Sequence, residues 1–134
     1  MATQSDGISF GTLVLHDTGD VFELAVDFVV RIGDGTVLIA PKGTTTDGAS
    51  IPRFFWRLIG PPMTGRYRQA AVIHDAGYTG DLQWRIGGAL TEYDRKAVDA
   101  LFLQLMKALG VSWWRRRLMH LAVRCFGARH WSHR

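Results

Sequence analysis

The period of the hydrophobic pattern changes along this chain, and that change limits the fold more than any other feature. Leu13 to His16, Val21 to Ile32 and Thr36 to Ala40 are β-rich and alternate apolar with polar residues, the pattern of half-buried strands. Asp17-Thr18-Gly19-Asp20 and Gly33-Asp34-Gly35 lie between them, and spacers of this kind mark hairpins. From Tyr67 the period becomes helical: Ala70, Ile73, His74, Gly77 and Tyr78 fall on one face, which predicts a helix over 67–78 with that face inward. Thr91 to Leu109 repeats the pattern, with Val98, Leu101, Phe102, Leu105 and Leu109 as the apolar stripe and Gly110 as the stop,. An α+β fold is expected, a small N-terminal antiparallel meander followed by a bundle of three or four helices. At 134 residues and 47% apolar, the chain suits one domain, with 1–43 as its β-rich part and 44–134 as its helical part. No internal repeat stands out, and Pro61-Pro62-Met63-Thr64-Gly65 reads as a loop within the domain,.

The chemistry-bearing residues sit on those predicted helices. His74 and Asp75 are adjacent inside an apolar helical segment. A neutral imidazole takes a proton near pH 7 when an acceptor fixes its tautomer through the other ring N–H. Read alone, the pair is a core histidine beside a helix-surface acid. Two downstream acids are candidates for the acceptor. Thr91-Glu92-Tyr93-Asp94 reads as a capping box, which gives Asp94 a structural task at a helix start. Asp99 shares a face with Phe102, Leu103 and Met106, where a carboxylate is costly to bury without a partner. His74 is the natural partner, and Asp94 is the alternative.

A third signal is the segment Thr44-Thr45-Thr46-Asp47-Gly48-Ala49-Ser50-Ile51-Pro52 between the two halves. Its plain reading is a set of Asx and Ser turns capping a helix begun by Pro52. Its functional reading gives Asp47 as a hard oxygen ligand, with Gly48 permitting close backbone approach, so that Asp47 and Asp75 together hold a divalent cation.

The combination TDGASIPR at Thr46 to Arg53, HDAGY at His74 to Tyr78, VDALFLQLM at Val98 to Met106 and AVRCFG at Ala122 to Gly127 resembles domain of unknown function 1353, a family widespread in phages and prophages. More remotely, the order of motifs is similar to bacterial secreted phospholipases A2. These carry a loop Asp, a helix with HDxGY, a helix whose Asp is followed at three and seven residues by Phe and Met, and an aromatic segment ending in Phe-Gly. That resemblance implies His74 as general base, Asp99 as its orienting partner, and calcium held by Asp47, the Gly48 carbonyl and Asp75. Tyr78, Asp94 and His120 would be supporting residues. The implied reaction is attack of a histidine-activated water on an ester carbonyl polarised by the metal. The chain departs from those phospholipases in three ways. It holds only Cys125, which excludes an internal disulfide and fits a cytosolic lifetime. The spacing between its histidine and downstream aspartate differs, and the glycine-rich calcium loop of the animal enzymes is absent.

Charge is lopsided. From Ala100 to Arg134 there is no acid, while Lys107, Arg115, Arg116, Arg117, Arg124, Arg129 and Arg134 interleave with Trp113, Trp114, Phe126 and Trp131. Trp113, Trp114, Arg115, Arg116 and Arg117 are expected to meet phosphate-rich partners: an anionic lipid interface, or nucleic acid through phosphate contacts and stacking. The plain reading is a solvated basic helix whose tryptophans pack on its own core. His120, His130 and His133 show no zinc-ligand spacing,. No apolar run reaches membrane-spanning length, and the polar start Met1-Ala2-Thr3-Gln4-Ser5-Asp6 is not that of a signal peptide,. The cytoplasm of a bacterial host, or a virion, is the expected location.

Three functions are therefore expected to compete. The first is a metal-assisted hydrolase of phospholipase A2 type acting on phospholipid or another ester. The second is a non-catalytic phage tail or assembly component whose His-Asp cluster is a structural network. The third is a cell-wall hydrolase with zinc at Asp47, His74 and Asp75.

Overall fold

The computed structural model describes residues 4–5, 7–19, 21–46 and 67–131. It is α+β, with antiparallel strands in two sheets followed by three α-helices among those residues. The strands are β1 (Gln4–Ser5), β2 (Ile8–Phe10), β3 (Leu15–Asp17), β4 (Phe22–Leu24), β5 (Phe28–Ile32), β6 (Thr36–Ala40), β7 (Thr45–Thr46), β8 (Gln83–Ile86) and β9 (Ala89–Leu90). The larger sheet runs β1-β2-β5-β6-β8-β9 and the smaller β3-β4-β7. The helices are α1 (Arg68–Thr79), α2 (Arg95–Ala108) and α3 (Trp113–Phe126), and a 3-10 turn, Gly127–His130, follows α3.

Register explains which face of the large sheet is wet. Phe28 pairs with Ala40, Val30 with Leu38 and Ile32 with Thr36 across β5 and β6. With a period of two, Phe28, Val30, Leu38 and Ala40 share the inward face, and all are fully buried,. They meet Ala70, Val72, Ile73 and Ala76 of α1 and Phe102, Leu105 and Met106 of α2 in one continuous core. Helix α1 is the central element: every residue from Ala70 to Tyr78 is buried, the condition of a helix covered on all sides. Asp75, expected on a neighbouring, wetter face, is buried with the rest at 8% exposure.

Two glycines end their helices, Gly110 as the sequence predicts and Gly80 in addition. Gly110 has φ +81°, and Val111 N–H donates to Met106 O while Gly110 N–H donates to Lys107 O, so the last carbonyls of α2 are satisfied. Gly80 does the same for α1, with Asp81 N–H on Ala76 O and Gly80 N–H on Gly77 O.

Three boundaries differ from expectation. The run Val21 to Ile32 is two strands in different sheets: β4 pairs with β3 and β7, β5 with β2 and β6. Between them Ala25 N–H donates to Val14 O, Leu24 N–H to Thr44 O, and Lys42 N–H to the Asp27 carboxylate. Val26, inward in an unbroken strand, is instead 44% exposed. Secondly, β7, β8 and β9 lie past residue 43, so strand structure extends into the part expected to be helical; β8 completes the large sheet by pairing with β6. Thirdly, α2 starts at Arg95, not Thr91. Asp94 is its N-cap, accepting from Ala97 N–H at 2.8 Å, while Thr91 closes the β8–β9 hairpin through its N–H to Trp84 O. The loop Pro61–Gly65 and the helix start at Pro52 lie outside the described residues.

Candidate active site

Helices α1 and α2 pack closely because α1 has Gly77 at the crossing. A Cβ there would lie 2.7 Å from Val98 Cγ1 and 2.9 Å from Cγ2, closer than any methyl tolerates. That approach brings His74 of α1 over Asp99 of α2. His74 Nε2 is 2.8 Å from Asp99 Oδ1, and Tyr78, one turn along α1, donates its hydroxyl to the same oxygen at 2.7 Å. The other oxygen, Oδ2, accepts from Arg124 of α3 at 2.8 Å, with Arg95 Nη1 at 3.6 Å. Asp99 is fully buried and His74 is 1% exposed. The carboxylate therefore accepts three hydrogen bonds and has the Arg95 charge beside it, which is how a buried charge survives.

Arg95 also ties the site to the end of α3. Its guanidinium donates to Val123 O at 3.0 Å and to Arg124 O at 3.4 Å, carbonyls of the last turn of α3, the first of which also accepts from Gly127 N–H,. Rings complete the packing: His74 lies between Tyr78 and Phe102 at centroid distances of 4.3 and 4.5 Å, and Trp131 meets Tyr78 edge-on at 5.3 Å. Gly127 lets the chain pass over this group, since a Cβ there would come within 2.7 Å of the Tyr78 hydroxyl.

On its other side, His74 presents Nδ1 towards Asp75, whose Oδ1 is 4.0 Å away. Asp75 accepts through Oδ2 from the hydroxyl of Thr46, itself buried. Burial disfavours the imidazolium, but hydrogen bonds and charge from Asp75 and Asp99 outweigh it and hold the His74 pKa above its ordinary value. Burial likewise opposes ionisation of Asp99, yet His74, Tyr78 and Arg124 overcome it and hold its pKa below the usual carboxylate value. An ionised Asp99 accepts only, so Nε2 carries the ring proton and Nδ1 the lone pair when the imidazole is neutral.

The sequence candidates are thus partly brought together. His74, Asp99, Asp75 and Tyr78 form one cluster. Asp94 caps α2 and makes no bond to His74 among the described residues. His120 on α3 is half-buried; burial holds its pKa low, and it feels the charges of Asp99, Arg124, Arg117 and His74 from outside the hydrogen-bonded group. Asp47 and Gly48 lie outside the described residues, and among the described residues no group of three His, Cys, Asp or Glu is arranged to hold a metal. Sequence reasoning missed Thr46, Arg95, Arg124 and Gly127 as parts of the site. Thr46, which opens the TDGASIPR motif, and Arg124 and Gly127, within AVRCFG, had a visible signal; Arg95 had none.

The surface candidates are elsewhere on α3. Trp113 and Trp114 are 63% and 49% exposed, so they do not pack into the core. Arg117 stacks over Trp113 and Arg115 over Trp114 at 5.9 and 5.2 Å. Arg116 instead turns back to Val111 O. No described helix is long and apolar enough to cross a membrane.

A model of the family described as proteins of unknown function (DUF1353) matches residues 22–123. Two uncharacterised proteins of Sinorhizobium fredii are similar to the chain. One, y4jT, is 37% identical over 117 residues, 87% of this chain. The other, y4iH, is 34% identical over 121 residues, 90% of this chain. The chain spans 32% of the first relative's length and 46% of the second's. No solved structure gives a significant match.

Proposed function

This chain belongs to the DUF1353 family, and we propose that it is an ester hydrolase of phospholipase A2 type in which His74 activates water. The observation that supports this reading is the 2.8 Å contact of His74 Nε2 with the Asp99 carboxylate: an ionised Asp99 accepts from Nε2–H, which makes Nδ1, on the side of Asp75, the basic nitrogen of the neutral ring. Water loses a proton to Nδ1 as its oxygen bonds to the ester carbonyl carbon; the imidazolium then returns that proton to the departing alkoxide as the carbon–oxygen bond breaks, giving acid and alcohol. Two guanidinium groups share Asp99 with the histidine, so the carboxylate's contribution is orientation more than added basicity. Tyr78 holds the same oxygen and limits rotation of the carboxylate.

Asp75 is the described member of a calcium set that would also take Asp47 and the carbonyl of Gly48. Its carboxylate offers hard oxygen donors, the chemistry calcium accepts, and it lies on the Nδ1 side of the imidazole. A calcium ion bound there would supply positive charge for the carbonyl oxygen. The burial of His74 favours a second reading, a non-catalytic phage tail or assembly component that keeps the cluster as a structural network. Fatty-acid release from phosphatidylglycerol vesicles, with calcium, zinc or chelator, separates them. Calcium-dependent release that His74→Gln abolishes supports the hydrolase; no fatty acid from lipid but zinc-dependent release of soluble fragments from peptidoglycan supports the cell-wall enzyme. Absence of turnover under all three conditions by a folded wild type refutes the hydrolase.

A further inference from the structure

Helix α3 carries its apolar residues on both sides. Met119, Ala122 and Val123 face the core, yet Trp113, Trp114 and Leu121 are 63%, 49% and 56% exposed. At 100° per residue, positions 113, 114, 117, 121 and 125 fall within one arc of the helix. Arg124 shares that arc but turns its guanidinium back to Asp99, so the side chains left outward on it are Trp113, Trp114, Arg117, Leu121 and Cys125, with the exposed Arg115 stacked on Trp114 beyond its edge. A solvated face would carry no such row, and clustered exposed apolar side chains mark an interaction site. From the structure we infer that the outer face of α3 docks on an anionic phospholipid surface, with Trp113, Trp114 and Leu121 entering the headgroup–acyl boundary and Arg115 and Arg117 pairing with phosphates.

Charge complementarity selects this occupant. The chain has no acid from Ala100 onwards, so nothing on α3 offsets its basic side chains. Arg95 and Arg124 are engaged at Asp99, and Arg116 at Val111 O. Arg115 and Arg117 remain exposed at the tryptophan end. There each guanidinium lies over an indole, so ring and charge sit at the same depth, the arrangement suited to an interface that is apolar on one side and phosphate-lined on the other. Leu121 decides against nucleic acid, because an aliphatic side chain neither stacks on a base nor bonds a phosphate. The inference stands apart from hydrolysis and does not require it.

The test uses vesicles of ether-linked phosphatidylcholine with and without ether-linked phosphatidylglycerol, which contain no ester to cut, so binding is read independently of turnover. The full chain is expected to co-sediment with the anionic vesicles and to detach as salt is raised. Replacing Arg115 and Arg117 by Ser should weaken binding about fivefold per arginine, roughly 25-fold for the pair. Trp113→Ser with Trp114→Ser should also release the protein, while Arg31→Ser, an exposed arginine on β5, should change nothing. Circular dichroism confirms that the variants are folded. Equal binding to neutral and anionic vesicles, binding indifferent to the α3 changes, or no binding at all overturns the inference. So does a preference for single-stranded nucleic acid at matched salt that the same α3 variants abolish.

Discussion

Replacing Asp99 by asparagine keeps the size of the side chain and removes its charge, so it isolates what the carboxylate contributes. Oδ1 receives the His74 and Tyr78 protons at 2.8 and 2.7 Å, and Oδ2 receives Arg124 at 2.8 Å. A carboxamide must turn its NH2 to one of these sides. Facing Arg124, it meets a group with no acceptor at all. Facing His74 and Tyr78, it meets a hydroxyl that can rotate and an imidazole that can accept at Nε2 if its proton moves to Nδ1. The carboxamide oxygen therefore goes to the arginines, and His74 switches tautomer. Two guanidinium groups lose their buried counter-charge in the exchange. Removing one partner of a buried pair costs about 3–5 kcal/mol, and the retained hydrogen bonds place Asp99→Asn near the lower end, about 3 kcal/mol. For a domain of this size that lowers Tm by roughly 10 °C. Urea denaturation gives the first number, calorimetry the second, and ring-nitrogen chemical shifts give the tautomer. A loss under about 1 kcal/mol, or a His74 that keeps its proton on Nε2, refutes the account of Asp99 as the charged centre that fixes the histidine.

The His74 pKa is raised in the folded state by Asp75 and Asp99 against burial. Its contribution to stability is therefore fully present below the ordinary imidazole value of 6.5 and is lost as pH rises through the raised folded value,. The urea midpoint of the wild type should fall across that window, and a His74→Gln variant should lose this slope; an unchanged slope counts against the coupling. Gly77→Ala should cost about 1–3 kcal/mol by overpacking α1 against Val98, and adding Val98→Ala, which removes the methyls 2.7 and 2.9 Å from the new Cβ, should return part of it. Additive losses in that double-mutant cycle would refute the close-approach argument. Asp94→Ala removes the N-cap bond to Ala97, and should cost about 1 kcal/mol; a shift of the His74 titration comparable to that of Asp99→Asn would reinstate Asp94 as the histidine's partner.

The α+β order was legible because it depends on local periodicity. Alternation to Ala40 and the helical faces around His74 and Phe102 survive as strands and helices, and Gly80 and Gly110 end α1 and α2 by backbone bonds that follow from glycine's freedom at positive φ,. The break at Ala25–Asp27 was not legible. The apolar alternation runs straight through Val26, and the bonds that divert the chain come from Val14, Lys42 and Thr44, all distant in sequence. The start of α2 was misplaced for a related reason: both Thr91 and Asp94 are good cap residues, and the β8–β9 hairpin, a tertiary fact, takes the first. Within the site, His74 and Asp99 could be paired from cost alone, because a carboxylate on an apolar face needs a partner. Thr46 could not be paired with Asp75: it opens the TDGASIPR motif, but a hydroxyl in a run of three threonines carries no sign of its partner.

Arg95 and Arg124 are the informative omissions. As a sequence element Arg124 belongs to a basic, acid-free segment, and that segment divides by function: Arg115 and Arg117 face outward beside tryptophans, while Arg124 reaches inward to Asp99. Stability gives little reason for an inward charge. Apolar residues of similar volume often replace a buried ion pair without loss, because desolvation consumes most of the Coulomb attraction. The motif residues also fit one another sterically around these charges: Gly77 admits Val98, and Gly127 admits the Tyr78 hydroxyl. A core free to choose would avoid both the desolvated carboxylate and the two positions open only to glycine. A site that must hold an imidazole in one tautomer has use for all of them, which is why the cluster favours the catalytic reading over the scaffold.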